Sequence, residues 1–458
     1  MIAPDGSSNE NDIHKELAEK GVQVVVLDHH HAENDVTDPA IIVNNQMCEY
    51  PNKALSGVGI VYKTCLAMDK ILSAKCATQY LDLVALGLTA DMMDTKELET
   101  RFLILEGFQQ VRNPFFYHMC EKNSFSMKNK VTQHSVAWYI APYINAVTRI
   151  GTLEEKTLIF KSMLTCEAFK KIPSTKRGCK GQEELLVEQA VRTCGNIKNH
   201  QDDMKNDYIA RIKENHTYDG SPVWIILLEE GNYHRGLTGL VANQLMGEYK
   251  IPTLVLHQVI DENGEVTYQG SGRGYNTGIV SDWRKFCGDN GAFLAEGHPY
   301  AFGAGFTEAG LRQFQSKLGE LFTDQNADIH YDVDFVWKSH EDFDSAIQEL
   351  ATVGDNIWGQ GVAEPYVVIE KIPVSLSNIR LMGKGTVRID VPGHKTNCIK
   401  FNAEPIYDAI TARLGNDSGM NIDVSICGRC QINEWNGTIT PQIHITDYEI
   451  VGAPKWDF

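Results

Sequence analysis

No stretch of about 18 apolar residues occurs in this sequence, so no membrane-spanning helix is expected. The amino terminus, MIAPDGSSNENDIHK, has no basic region followed by an apolar one, so a secretory signal peptide is not expected either. Regular cysteine spacing is also missing. Eleven cysteines lie scattered over 458 residues, which reads as the reduced thiols of a cytoplasmic protein and not as a disulfide framework. Only Cys427 and Cys430, in ICGRC, stand close together. Without a second pair they fall short of the four ligands of a structural zinc site. Positive charge is scarce: 42 Lys and Arg against 60 Asp and Glu give a net charge of −18. That balance argues against a surface that grips nucleic acid all over, but leaves room for a local basic channel. It also suits a site that holds divalent cations with carboxylates. No internal repeat and no low-complexity tract is found, which excludes a repeat array. The length gives a prior of about three domains, and the hydrophobic share of 43% is ordinary for a globular chain.

The first segment alternates between helix and strand. Residues 11–20 have a charged helical period that Gly21 ends, and VQVVVLD (22–28) is the continuous β-branched run of a buried parallel strand. IIVNN (41–45) follows, then helices over about 57–73 and 78–90. This order predicts a doubly wound α/β sheet, in which ligands gather at the carboxyl ends of strands. Residues 151–210 read as charged helices around the basic stretch FKKIPSTKRGCKG (169–181), either a solvated connector or a surface that guides a strand. A second α/β unit begins near SPVWIILLEE (221–230), with a helix at 236–248 and a strand at 253–260. Beyond residue 331, short alternating strands such as YVVIEKI, TVRIDV and ITPQIHITDYEIV predict a small β-barrel.

Three positions could hold a metal. Asp28, His29 and His30 close an apolar strand, and imidazoles and carboxylates at such a crevice suit Mn²⁺ or Mg²⁺. An Asp beside a ligand His would orient its ring; the plain alternative is a run of surface histidines. Asp5, after an apolar pair and before Gly6–Ser7–Ser8, marks a strand entering a loop, or simply a turn. Asp91 ends a segment in which eight of the ten residues Leu81–Ala90 are apolar or Gly. A carboxylate there is costly unless something pairs with it, though helix capping would also explain it; Asp94 is a substitute.

IAPDGSSNEND, VVVLDHHH, NKALSGVGIVYK and DLVALGLTADMMD occur in the order of the DHH phosphoesterase superfamily, which the chain resembles. The separation of 23 positions from Asp5 to Asp28 fits one strand–helix–strand step. IAPYINAVTRIG (140–151) resembles the RecJ stretch GPR-N-A-GR, with Pro142, Asn145 and Arg149 on its pattern and Tyr143 in place of an Arg. The resemblance implies that Asp5, His29 and Asp91 coordinate two ions, Mn²⁺ or Mg²⁺, that activate water. It gives Asp28 an orienting role and places His30 near the scissile phosphate. The superfamily's first motif, H-x-D-x-D, would lie upstream of Asp5, where this sequence has four residues. Fragment, split-gene half and inactive remnant all stay open, as does an upstream polypeptide that supplies the motif.

In the second unit, EEGNYHRGLTGLVANQL, QGSGRGYN and EGHPYAFGAGF place His234, Ser271, Arg273 and His298 in glycine-rich surroundings. Each reads alone as a tight turn; a Gly-rich loop can also bring backbone close to a phosphate, with Arg engaging it bidentately. In this order they resemble the DHHA1 domain, with Tyr233 where Trp is usual and Glu296 where Gly is usual. That resemblance and the RecJ stretch together put Asn145, Arg149, His234, Ser271 and Arg273 on the substrate and His298 among the catalytic groups. GQGVAEPYVV and INEWNGTITPQIHITDYEI resemble the entry and closing strands of the RecJ oligonucleotide-binding barrel, where Trp435 and Tyr448 would stack bases or belong to the core. The implied domains are DHH (1–155), helical connector (156–215), DHHA1 (216–328) and OB-like barrel (329–458). The implied activity is a RecJ-like exonuclease on single-stranded DNA, running 5′ to 3′, in DNA repair or recombination. The alternatives are a phosphodiesterase for short oligonucleotides or cyclic dinucleotides, and a non-catalytic DNA-binding subunit.

Overall fold

The computed structural model describes residues 1–32, 37–229, 234–261, 264–275, 279–322, 331–383, 385–415, 419–435 and 437–456. The chain opens with β1 (Ile2–Pro4), α1 (Asn11–Glu19), β2 (Val25–Asp28) and β3 (Ile41–Asn44). Helices α2 (Gly57–Leu72), α3 (Leu81–Ala90), α4 (Leu98–Gln109), α5 (Pro114–Lys122) and α6 (Gln133–Tyr139) follow. The three strands pair in parallel in the order β1-β2-β3, with Ile2 opposite Val25 and Val25 opposite Ile41. This is the parallel α/β arrangement expected from the alternating pattern. Ser73 in the left-handed region ends α2. Asn113 caps α5 with Pro114 at its first turn, where a missing N–H is harmless. A capping box at Thr132 and Ser135 starts α6.

Next come α7 (Ala141–Ile150), α8 (Leu153–Met163), α9 (Thr165–Ala168), the hairpin β4 (Lys171–Pro173) and β5 (Glu183–Leu185), and the long α10 (Leu186–Asn215). The basic stretch 169–181 thus runs through β4 into its turn. Then β6 (Trp224–Leu228), α11 (Thr238–Tyr249), β7 (Thr253–Ile260), β8 (Val266–Arg273), α12 (Trp283–Asp289), β9 (Ala292–His298), β10 (Ala301–Thr307) and α13 (Glu308–Leu321) form a five-stranded sheet with its helices. Its order is β6-β7-β8-β10-β9, with only β6 and β7 parallel. Trp283, Phe306 and Phe314 lie wholly buried beneath it.

The last part holds β11 (Phe335–Lys338), α14 (Asp344–Ile357), β12 (Val367–Val374), β13 (Ile379–Met382), β14 (Thr386–Asp390), β15 (Asn397–Lys400), α15 (Glu404–Leu414), β16 (Met420–Trp435) and β17 (Thr438–Trp456). These strands make one seven-stranded sheet, β11-β12-β16-β17-β15-β14-β13. Alternation of inward residues along β12 and β16 builds its core of Val367, Ile369, Ile372, Ile422, Val424 and Ile426. Residues 1–141 and 331–458 form one compact unit, and residues 142–330 form another. None of the eleven cysteines forms a disulfide. Among the described residues no helix is long and apolar enough to cross a membrane.

Candidate metal centre

Asp5 leaves the sheet where β1 ends. Its N–H still donates to Leu27 of β2 at 2.8 Å, while its φ of 60° turns the chain sharply, a conformation that Asp tolerates better than most residues. The carboxylate lies against the start of α2. A Cβ at Gly57 would fall 2.3 Å from Asp5 Oδ1, so only glycine fits there. The positive end of the α2 dipole therefore meets a negative side chain.

His29 is the hub. Its Nε2 stands 3.2 Å from Asp5 Oδ1 and 3.3 Å from Asp91 Oδ2. Asp91 arrives from another direction as the C-cap of α3, so the capping reading and the cluster reading hold together. Ligand atoms of Asp5, His29 and His30 all lie within 4.8 Å of one another, which brings His30 into the same circle. Asp94 is engaged elsewhere, accepting from the Lys96 N–H at 2.8 Å.

Asp28 is 1% exposed and lies beneath the histidines. One oxygen accepts from the N–H groups of His29 and His30, at 2.7 and 3.2 Å, and meets His30 Nδ1 at 2.7 Å. The other accepts from the Ser8 hydroxyl at 2.7 Å. Burial alone would raise the Asp28 pKa; the bonds from Ser8 and His30 outweigh it and bring the carboxyl down to about 2. Asp28 therefore stays ionised and fixes the His30 ring. The hydrogen bond from His29 lowers the Asp5 pKa despite burial. For His29, burial opposes protonation, but the bond to Asp5 and the charges of Asp91, Asp5 and Asp28 prevail and raise its pKa. An imidazole that prefers a proton between two carboxylates is also where a divalent cation would displace that proton. The donor set of carboxylate oxygens and imidazole nitrogen fits Mn²⁺ or Mg²⁺.

Sequence reasoning missed the support beneath this cluster. Asn44, 3% exposed, donates to Ser8 Oγ at 3.0 Å and to the His30 carbonyl at 2.9 Å. The signal was present: Asn44 ends the apolar run IIV, at the same sheet edge as Asp28, its register partner.

In residues 142–330 the glycine-rich stretches correct the expectation of loops and turns. Gly270 and Gly272 lie inside β8. A Cβ at Gly270 would meet the Val255 carbonyl at 2.0 Å, and one at Gly272 the Phe302 ring at 2.4 Å. These glycines thus admit a neighbouring strand and an aromatic ring. Gly239 differs, since its Cβ would fall 2.7 Å from Arg273 Nη2 and 3.5 Å from Ser271 Oγ. Ser271 Oγ also lies 3.1 Å from Thr238 Oγ1. Burial and the nearby Arg149 charge lower the Arg273 pKa. Arg149 follows Asn145 on α7, one turn later, and His234 accepts from the Gly236 N–H at 3.2 Å. Arg273, Ala301 and His298 occupy one register row across β8, β10 and β9, and His298 is exposed. Tyr143 is part of α7 and Glu296 of β9, whereas Tyr233 lies outside the described residues. In the last sheet Trp435 is 73% exposed at the end of β16, while Tyr448 packs against the core.

A family model described as the DHH family, N-terminal domain, matches residues 1–88, and one described as the RecJ OB domain matches residues 336–447. The putative SPbeta prophage-derived single-strand DNA-specific exonuclease YorK of Bacillus subtilis is 34% identical over 461 residues, 98% of this chain and 78% of that protein. The single-stranded-DNA-specific exonuclease RecJ of the same organism is 24% identical, over 97% of this chain and 54% of its own length. A crystal structure of Thermus thermophilus RecJ in complex with Mn²⁺ superposes with a TM-score of 0.71 at 17% identity, over 99% of this chain and 62% of that one, a likeness of fold. The parallel sheet that carries the Asp-His-His triplet and the matches at both ends of the sequence lead to one conclusion: the chain belongs to the DHH family, in its RecJ-like exonuclease branch.

Proposed function

We propose that this chain removes nucleotides from the 5′ end of single-stranded DNA by hydrolysing phosphodiester bonds, with two divalent ions, Mn²⁺ or Mg²⁺. The observation that carries the reading is His29 Nε2 standing 3.2 and 3.3 Å from two carboxylates that come from separate segments. Asp5, His29 and Asp91 would hold the ions, with the remaining positions left to water, the substrate and further ligands, since such cations take about six. The ions supply the charge that activates water and stabilises the leaving oxygen. Asp28 holds one nitrogen of His30 and leaves the other for the scissile phosphate. His298 would serve as a further catalytic group, from the exposed end of β9.

The strand-binding roles follow the same logic. Arg149 and Arg273 repel each other, and a phosphate between them would relieve that repulsion; Asn145, His234 and Ser271 complete the polar surface. Trp435 offers an open stacking face. Arg429 sits over the Tyr366 ring at 4.9 Å, and Phe401 meets His444 edge-on at 5.7 Å, a surface suited to bases and backbone. Residues 1–155 then serve catalysis, 156–215 connect, 216–328 bind the nucleotide and 329–458 hold the strand. An upstream polypeptide would supply additional ligands. The row Ile2–Val25–Ile41 leaves Ile2 and Ile41 exposed by 68% and 64%, unusual for a parallel sheet, whose faces are ordinarily covered.

The test uses Mn²⁺ and oligonucleotides blocked at either end, with and without an upstream-extended chain. Mononucleotides released from a free 5′ end support the proposal. Release from the 3′ end overturns the direction. Cleavage of dinucleotides only would support the short-substrate reading. Binding without cleavage in every arm would leave a DNA-binding subunit.

A further inference from the structure

The segment that carries Asp91 is clipped to a part of the chain far away in sequence. Met92, directly after Asp91, has a φ of 54°, and three residues later Thr95 is 1% exposed. The Thr95 N–H and hydroxyl both donate to the Gln360 carbonyl, at 2.8 and 2.9 Å. Arg101 Nε of α4 donates to the Thr95 carbonyl at 3.0 Å. Gln360 sits in a tight turn between α14 and β12, closed by reciprocal bonds between Gly359 and Val362 at 2.9 and 3.1 Å. Gly361 in that turn has a φ of 80°, and a Cβ there would lie 1.8 Å from Asp94 Oδ1. A Cβ at Gly359 would lie 2.5 Å from Gln133 Oε1, at the start of α6. Two glycines thus let the turn press between Asp94 and Gln133 while its carbonyl grips Thr95.

We propose that this turn, residues 358–362, positions Asp91: by holding Thr95 it sets the course of the chain from α3 and so the place of the Asp91 carboxylate beside His29. The proposal rests on Asp91 being a metal-binding side chain. Thr95, Gln360 and Gly361 are positioning residues that touch neither ion nor substrate. The turn leads into β12 of the C-terminal sheet, so what that sheet binds and how firmly the metal is held become linked, in both directions.

The test measures Mn²⁺ binding by calorimetry without substrate, on the full chain and at matched melting temperature. Gly361→Ala is expected to weaken Mn²⁺ about tenfold, the usual size of a lost outer-shell support. Asp94→Ala removes the obstructing carboxylate but not the strain of a side chain at a φ of 80°, so the double variant should regain part of the affinity. Thr95→Val, which loses only the hydroxyl bond, should weaken binding less, and Thr95→Ser should restore it; this pair decides the matter if Gly361→Ala does not fold. Wild-type affinity in Gly361→Ala and Thr95→Val, alongside loss in Asp91→Ala, would overturn the positioning role alone. Wild-type affinity in Asp91→Ala would overturn the metal reading and this proposal with it.

Discussion

Two clusters in this molecule are built from the same chemistry and end differently. Around Glu184, whose side chain is 3% exposed, Arg192 forms bonds to both oxygens at 2.6 Å, Gln189 donates at 2.8 Å and the Thr175 N–H at 3.0 Å. Arg192 first, against the effect of burial, holds this carboxyl well below the usual range. Around His29, one imidazole stands between two carboxylates that remain 64% and 48% exposed. The first cluster completes itself with protein groups and joins the β4–β5 hairpin to α10. The second concentrates negative charge at a strand end and keeps it open to an incoming cation. A satisfied ion pair is architecture, while an exposed excess of carboxylate over cation invites a ligand.

Substitutions in each cluster should therefore be read by different instruments. His29→Ala should abolish cleavage, by more than about a hundredfold, beyond what the loss of outer-shell support causes, and leave strand binding intact in a gel-shift assay; retained turnover would remove His29 from the ligands. Glu184→Gln should lower the unfolding free energy of its unit by about 1–3 kcal/mol, because it removes the charge that Arg192 pairs with, with Mn²⁺ affinity unchanged in calorimetry. The same cluster sets an acid sensitivity. A carboxyl depressed in the folded state stabilises above its unfolded pKa, near 4.5, and that stability is lost as pH falls below it. Thermal melts at descending pH should show the loss in the wild type and much less of it in Glu184→Gln.

Smaller effects sharpen the contrast further. Asn44→Ala should weaken Mn²⁺ or activity about tenfold by loosening Ser8 and His30, with a melting temperature changed far less than by Glu184→Gln. Trp435→Ala should cost about 1 kcal/mol of affinity for a single strand, at the low end for a stacking aromatic, and leave cleavage of a saturating substrate unaltered. An equal loss of turnover would place Trp435 nearer the chemistry than its strand end suggests.

Much of the fold was legible because its signals are local. The apolar run ending at Asp28 gave β2, the period of 57–73 gave α2, and alternation gave the strands of the last sheet. Asp5, His29 and Asp91 were legible as residue types at the ends of apolar segments. Two things were not. Glycine looks alike in a loop and in a strand, so Gly270 and Gly272 revealed their role only once Val255 and Phe302 stood beside them. Contacts between distant segments leave no periodicity, so the grip of Gln360 on Thr95, 265 residues away, had no trace in the sequence, and of the Asn44 bonds under His30 only the polar end of an apolar run was visible.

The most direct test of the account is a crystal grown with Mn²⁺ and examined for anomalous scattering. The account predicts density at bonding distance from Asp5, His29 and Asp91 together, lost in His29→Ala. Manganese bound elsewhere, or these three side chains pairing only with one another in the presence of excess ion, would contradict it.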